Sequence, residues 1–110
     1  MPPRPLGLLQ GTVDVLILRT LAWAPMHGYG ISQWINDRSA GALAVEDAGL
    51  YQALHRLERK GLVDSEWGIS EKNHRAKYYS LTTAGRRQLK SEVAELRKYM
   101  AVLFGVLDPA

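Results

Sequence analysis

Apolar residues recur at helical spacing between residues 49 and 62, and this stretch predicts a helix that ends at Gly61. The apolar side chains that share one face of this helix are Leu50, Ala53, Leu54 and Leu57. The opposite face carries the polar and basic side chains Gln52, His55, Arg56 and Arg59. Such side chains can bond base edges and phosphates, although a polar face is also typical of any solvated surface helix. The pattern alone leaves both interpretations open.

Two further helices are predicted before this stretch. Residues 12–23 carry an apolar stripe wide enough to be covered on two sides, and Thr12 is the expected N-cap. The stripe consists of Val13, Val15, Leu16, Ile17, Leu18 and Leu21. A second helix is predicted over residues 28–38, and its inward side chains are Ile31, Trp34 and Ile35. We expect His27 to cap this helix through a ring nitrogen rather than to act as a ligand or a base.

A connector of small residues follows at 39–45. Its apolar end at 43–45 is long enough for one short strand. Asp47 is a possible cap for the helix that comes next.

Beyond Gly61 the hydrophobic period changes from that of a helix to that of a strand. Residues 62–67 and 77–81 predict two strands, and the polar stretch at 69–76 predicts a long loop between them. Three helices followed by such a β-hairpin predict a winged helix-turn-helix, an α+β fold that is mostly α. In this fold the second helix of the pair enters the major groove and the wing lies along the DNA backbone.

In the winged fold, the basic residues of the helix and of the hairpin can contact the same DNA duplex. The candidate DNA contacts on the helix are Tyr51, Gln52, His55, Arg56 and Arg59. The candidate contacts on the wing are Lys72, His74, Arg75 and Lys77. We expect the Tyr51 ring to pack inward while its hydroxyl reaches a phosphate. Gln52 is nearest the helix start and could pair with adenine.

The last helix is predicted to begin at Thr83, after a cap by Thr82. Its apolar residues alternate at spacings of four and three, which is a heptad seam. The seam consists of Leu89, Val93, Leu96, Met100, Leu103 and Leu107. A helix of about 25 residues spans roughly 38 Å, more than a small winged domain can cover. We therefore expect a second copy of the chain to pack here, the alternative being a helix that packs only on its own domain.

Length and charge bound the organisation of the chain. Its 110 residues suit one core, with a disordered, proline-rich arm at 1–7, a winged domain at 8–81 and a dimerisation helix at 82–110. The net charge of +3 permits a polyanionic partner without requiring one. Large apolar residues usually bury, so we expect Trp23, Trp34 and Trp67 in the core.

The sequence offers no support for catalysis or metal binding. The absence of cysteine excludes a disulfide framework and thiolate metal sites, and no histidine has a second histidine or a carboxylate four residues further on, as a metal pair would need. Neither a phosphate-binding loop nor a nucleophile motif occurs. The sequence therefore predicts a protein that is not an enzyme and needs no cofactor. Short apolar runs and the lack of a signal-peptide pattern predict a cytoplasmic protein with no membrane partner.

Three strings carry a resemblance to a known family: HGYGI at 27–31, LYQALHRLERKGL at 50–62 and RAKYYSLTTAG at 75–85. In this order and spacing they resemble the PadR family of bacterial transcriptional regulators, in its short type with a single C-terminal helix. The resemblance covers the whole winged domain. It implies a dimeric DNA-binding repressor that dimerises through the C-terminal helix, often together with the first helix. In some relatives an apolar cleft at the dimer interface binds aromatic or drug-like effectors.

The chain departs from the family pattern at two positions. The family commonly has Ser or Thr at the position of Gly49 and often Pro at the position of Gln52. A hydroxyl cap or phosphate contact at position 49 is therefore absent, and Gln52 gains a side chain that could read a base.

We expect a homodimer that binds double-stranded DNA at an inverted repeat. A small apolar ligand is expected to release the dimer from the DNA. The alternative is a winged helix used as a protein-interaction module. Salt dependence of DNA binding would distinguish the two.

Overall fold

The computed structural model describes residues 8–9 and 11–109, so the predicted arm at 1–7 lies outside the described residues. The elements in chain order are α1 (Thr12–Trp23), β1 (Met26–His27), α2 (Gly28–Arg38), α3 (Asp47–Arg59), β2 (Val63–Ile69), β3 (Arg75–Leu81) and α4 (Thr83–Leu107). This confirms the predicted winged helix-turn-helix, with α2 and α3 as the helix pair and β2 and β3 as the wing.

The core lies where α1, α2 and α3 meet the base of the wing. The side chains that form it are Ile17, Leu18, Leu21, Ile31, Ile35, Val45, Leu50, Ala53, Leu54, Leu57, Val63 and Tyr79. The members on each helix follow the periodicity of the sequence, because one face of each amphipathic helix is removed from water. Both apolar edges of α1 are covered, as its wide stripe predicts.

The sheet has the strand order β1-β3-β2, and both pairs are antiparallel. The register of the wing runs from Val63 opposite Leu81 to Ile69 opposite Arg75. Because side chains alternate between faces, the face that covers the core near Val63 continues outward to Trp67 and Lys77. The outer half of the wing therefore presents this face beside α3 rather than to the core.

The first turn of α4 is fixed to the winged domain. Thr82 caps the helix, as predicted, because its hydroxyl oxygen accepts a hydrogen bond of 2.9 Å from the Gly85 amide. Gly85 is buried against the backbone of Leu62 and the side chain of Leu81. The position leaves no room for a Cβ atom, so α4 leaves the domain at a defined angle.

Three local predictions around the helix starts were wrong. Thr12 does not cap α1: Gly11 occupies the cap in the left-handed region (φ 85°), and the Thr12 hydroxyl donates to the Leu9 carbonyl instead. Glu46 rather than Asp47 precedes α3, and its side chain makes no cap hydrogen bond. The run at 43–45 forms no strand.

The connector folds back on the end of α2 instead of pairing with a sheet. The Ser39 hydroxyl accepts from the Leu43 amide at 2.9 Å, and the Gly41 amide donates to the Asn36 carbonyl at 2.8 Å. The backbone groups of the turn are thus satisfied by α2. The third strand is β1, which is two residues long and pairs Met26 with Tyr79.

The hairpin is more regular than its polar sequence suggests. Its strands extend to Ile69 and from Arg75, so the loop covers only residues 70–74. Within it the Ser70 amide donates to the His74 carbonyl at 2.7 Å, and Asn73 adopts a positive φ of 60°. Asparagine tolerates this left-handed conformation, so Asn73 allows the loop to turn tightly.

Two of the three tryptophans predicted for the core are on the surface. Trp34 is half-buried against the core, whereas Trp23 is 70% exposed and Trp67 is 59% exposed. Trp23 follows the buried Leu21 by two residues and so lies on the far side of α1. Trp67 belongs to the part of β2 that projects beyond the helices.

Candidate nucleic-acid interface

The rotation of α3 is set by its buried face. Leu50, Ala53, Leu54 and Leu57 are each at most 1% exposed. Their burial leaves the opposite face in solvent, where the predicted base-reading and phosphate-binding residues Gln52, His55 and Arg59 are exposed. A helix held in this way can enter a groove without losing its own core contacts.

The end of α3 also determines where the wing begins. The Leu62 amide donates to the Leu57 carbonyl and the Gly61 amide donates to the Glu58 carbonyl, which is a Schellman cap. Gly61 has a φ of 74°, a conformation that favours glycine. This confirms the prediction that the helix ends at Gly61.

The start of α2 lies against α3. The His27 Nδ1 atom accepts a hydrogen bond of 2.9 Å from the Gly30 amide, which confirms His27 as the cap of α2. The Tyr51 ring covers Gly28 so closely that a Cβ there would lie 2.7 Å from the Tyr51 hydroxyl oxygen. Tyr51 is 45% exposed and its ring packs on the start of α2, as predicted, whereas a contact between its hydroxyl and a phosphate stays a prediction.

The wing carries its basic groups in two different environments. Lys72 and His74 are exposed in the loop at its tip. The Arg75 guanidinium stacks 4.4 Å above the centre of the exposed Trp67 ring. This cation–π contact pre-orders an arginine that would otherwise move freely in solvent.

Lys77 and Glu58 join the wing to the end of α3. The Lys77 Nζ atom lies 3.5 Å from the Glu58 carboxylate, and both side chains are about one-third exposed. The Ser65 hydroxyl donates to the same carboxylate at 2.5 Å. The Ser65 hydrogen bond, with a smaller contribution from the charge of Lys77, lowers the pKa of Glu58 below the ordinary glutamate value. The base of the wing is thereby fixed relative to α3.

A cleft of about 1030 Å³ separates α2 and α3 from the wing. The predicted contacts that line it are Tyr51, His55, Lys72, His74, Arg75 and Lys77. Gln52 and Arg59 lie outside it on α3. Sequence reasoning missed Tyr29, which is 69% exposed, and Trp67, both of which line the cleft. The sequence could have indicated Trp67, because strand alternation places it opposite Lys77.

Arg56 has a different environment from the other cations of α3. Its guanidinium binds Asp14 of α1 through two hydrogen bonds, of 2.5 Å from Nη2 and 3.3 Å from Nε. The Asp14 side chain is 20% exposed and that of Arg56 is 43% exposed. The hydrogen bond and charge of Asp14 raise the pKa of Arg56 above its ordinary value.

The predicted dimerisation seam is only partly covered by its own chain. Leu89 packs against the core, and Val93, Leu96, Met100 and Leu103 are half-buried, whereas Leu107 is exposed. Leu96 faces α1 across a shallow cleft that Val15 and Tyr99 also line. Towards its end α4 exposes further apolar side chains, among them Val102, Phe104 and Val106. The second half of the helix thus has apolar surface that its own domain does not cover.

The described residues contain no cluster of three histidine or acidic side chains that could hold a metal ion. No helix among them is both long and apolar enough to cross a bilayer.

Comparison with known proteins agrees with the fold and with the resemblance. Residues 17–91 match the model of the transcriptional regulator PadR-like family. The chain is 32% identical to an uncharacterised protein X of Lysinibacillus sphaericus over 88 residues. The aligned region covers 80% of this chain and 81% of that protein.

Solved structures give the same assignment. A PadR family transcription regulator from Clostridium difficile superposes with a TM-score of 0.77 at 30% identity, covering 88% of this chain and 99% of that one. The fold is shared with Bacillus subtilis PadR, solved in complex with operator DNA, at a TM-score of 0.66 and 21% identity, over 74% of this chain and 46% of that one. PadR proteins are transcriptional regulators and not enzymes, as the sequence predicts. The chain belongs to the PadR-like family of transcriptional regulators.

Proposed function

We propose that the protein is a transcriptional repressor that binds double-stranded DNA as a homodimer, at an operator whose two halves form an inverted repeat. The observation that carries the proposal is the exposed face of α3, which presents Gln52, His55 and Arg59 while the opposite face is buried. A helix presented in this way can place hydrogen-bonding side chains on base edges in the major groove.

The wing supplies the second part of the proposed interface. Lys72, His74 and Arg75 are exposed, and Lys77 lies between them and α3. We assign these groups to phosphates, because lysine and arginine contacts with the backbone fix the register of a protein on the duplex. Tyr51, which lines the cleft, is the proposed flanking contact on α3. The operator complex of Bacillus subtilis PadR supports duplex DNA as the partner.

The proposed dimer forms through α4. The apolar residues in the second half of this helix are incompletely covered by the described part of their own domain: Met100 and Leu103 are half-buried, and Phe104 is exposed. A second copy would remove them from water, and a two-fold dimer would match an inverted repeat. The same surface would provide apolar contacts for the small ligand that we propose relieves DNA binding.

A titration against salt tests the proposal and separates it from the alternative of a protein-interaction module. Binding of a labelled duplex should weaken steeply with salt, by about 0.9 log units of affinity per log unit of salt for each phosphate contact. Arg75→Ala and Lys77→Ala should each weaken binding to all duplexes alike and flatten the slope by about one. The absence of salt-dependent duplex binding by the wild-type protein would favour the interaction module.

A further inference from the structure

Asp14 and Arg56 form an ion pair that the function proposed above does not use. The two residues are 42 positions apart and join the first turn of α1 to the second half of α3. Both Asp14 carboxylate oxygens accept a hydrogen bond from the same guanidinium. A bidentate pair of this kind fixes both the position and the plane of the arginine.

Arg56 lies at the border of the face that is proposed to meet DNA. It is four residues after Gln52 and three before Arg59, and residues at these spacings are neighbours on a helix surface. A guanidinium released from Asp14 would be free to turn toward the exposed face of α3 that carries Arg59. In the structure it is directed instead to α1 by a carboxylate that is largely removed from water.

We propose that Asp14 is a positioning and specificity-determining residue: it holds Arg56 away from DNA and so limits the number of phosphate contacts that α3 makes. A phosphate contact strengthens binding to every duplex and carries no sequence information. Because Asp14 prevents one such contact, a larger share of the binding free energy comes from contacts that depend on the DNA sequence. This inference rests on the proposed DNA binding by α3.

The same pair holds α3 against α1, the helix that also packs along α4. Asp14 is followed by Val15, which faces Leu96 and Tyr99 of α4. The pair therefore links the proposed DNA-reading helix to α1, the helix that contacts α4. Its loss is expected to change DNA binding without removing any residue that contacts DNA.

The test compares Asp14→Asn with the charge-matched control Asp64→Asn, which alters an exposed carboxylate on β2. Both variants gain one unit of net charge, but only Asp14→Asn frees Arg56. Duplex binding is measured over a range of salt concentrations, with a random duplex and with a duplex selected by the wild-type protein. Asp14→Asn should steepen the salt slope by about one, bind the random duplex several-fold more tightly and reduce the ratio of specific to non-specific affinity. Asp64→Asn should leave the slope unchanged.

Two further variants make the outcome decisive. Arg56→Gln alone should retain the wild-type salt slope, and Asp14→Asn combined with Arg56→Gln should return the slope to the wild-type value. A flatter slope in Arg56→Gln alone would show that Arg56 already contacts phosphate and would overturn the inference. An equal change in Asp14→Asn and Asp64→Asn would overturn it as well, because net charge would then explain the effect. If the wild-type protein binds no duplex in a salt-dependent way, the proposed function itself fails.

Discussion

Side-chain hydrogen bonds fix three places where the surface proposed to face DNA joins the rest of the molecule. His27 caps α2 beneath Tyr51, Thr82 caps α4 behind the wing, and Ser65 binds Glu58 where the wing meets α3. Each bond satisfies a polar group close to a helix end or a strand. These bonds help to hold the elements of the proposed DNA-binding surface in place.

The Glu58 contact predicts a specific dependence of stability on pH. The pKa of Glu58 is lowered in the folded protein, chiefly by the Ser65 hydroxyl. The contact therefore stabilises the fold at pH values above the ordinary glutamate pKa, and this contribution is lost as pH falls through the lowered value. Ser65→Ala should reduce the difference between the free energies of unfolding at about pH 7 and about pH 3, measured by urea denaturation.

Ser80→Ala provides the control for this prediction, because Ser80 lies on the other face of the same sheet, opposite Asp64. Its pH dependence should match that of the wild-type protein. If Ser65→Ala also matches the wild type, the hydroxyl does not set the pKa of Glu58.

At the scale of elements, the docking of α4 depends on the absence of a side chain at Gly85. A Cβ at this position would collide with the Leu62 carbonyl oxygen and lie 2.6 Å from the Leu81 Cδ1 atom. Since the backbone of Leu62 cannot move without disturbing the start of the wing, Gly85→Ala should lower the free energy of unfolding by about 1–3 kcal/mol.

Gly105→Ala is the matched substitution in the same helix, because a Cβ at Gly105 meets no atom within 4 Å. It should leave stability unchanged or raise it by up to about 1 kcal/mol, as alanine favours helix more than glycine does. Denaturation at one protein concentration measures both variants. Equal stability of the two variants would contradict the tight contact between α4 and Leu62.

The elements themselves could be predicted from sequence where one face is buried along several turns. The apolar stripes of α1, α2 and α3 predict which face of each helix is buried. The caps at His27 and Thr82 could be predicted because each involves only residues close by in the sequence. β1 could not be predicted because it has two residues and owes its conformation to pairing with Tyr78 and Tyr79.

Residue environments that depend on tertiary contacts were less predictable. Trp67 was expected in the core because it is large and apolar, but the wing carries it beyond the helices. The candidate contacts of the wing line one cleft together with Tyr51 and His55. The pairing of Arg56 with Asp14 leaves no local signal in the sequence, since it arises only when α1 packs on α3.

At the scale of the whole molecule, dimerisation through α4 remains a prediction. Leu103→Glu would place an unpaired charge in the proposed apolar contact, which is strongly unfavourable. Leu103 also lies beyond the part of α4 that lines the cleft with α1, so its own domain should stay folded. Sedimentation should show a monomer for Leu103→Glu, and a monomer or an unfolded chain for Leu96→Glu, which faces α1.

Ala94→Glu is the control because Ala94 is exposed and lies outside the seam. It adds the same charge to α4 and should remain a dimer. A well-folded dimer in both Leu96→Glu and Leu103→Glu would show that the seam is not part of the dimer interface.

The most direct test of sequence reading by α3 is the selection of bound sites from random duplex DNA by the wild-type protein and by Gln52→Ala, with Arg59→Ala as the control. The wild type should select an inverted repeat whose halves are about one helical turn apart, or further if α4 sets a wider spacing. Gln52→Ala should relax one position in each half, at a cost of roughly 1–3 kcal/mol against the preferred base, whereas Arg59→Ala should weaken binding evenly. An asymmetric site, or the same preference profile for the wild type and Gln52→Ala, would contradict the assignment of α3 as the helix that reads DNA through Gln52.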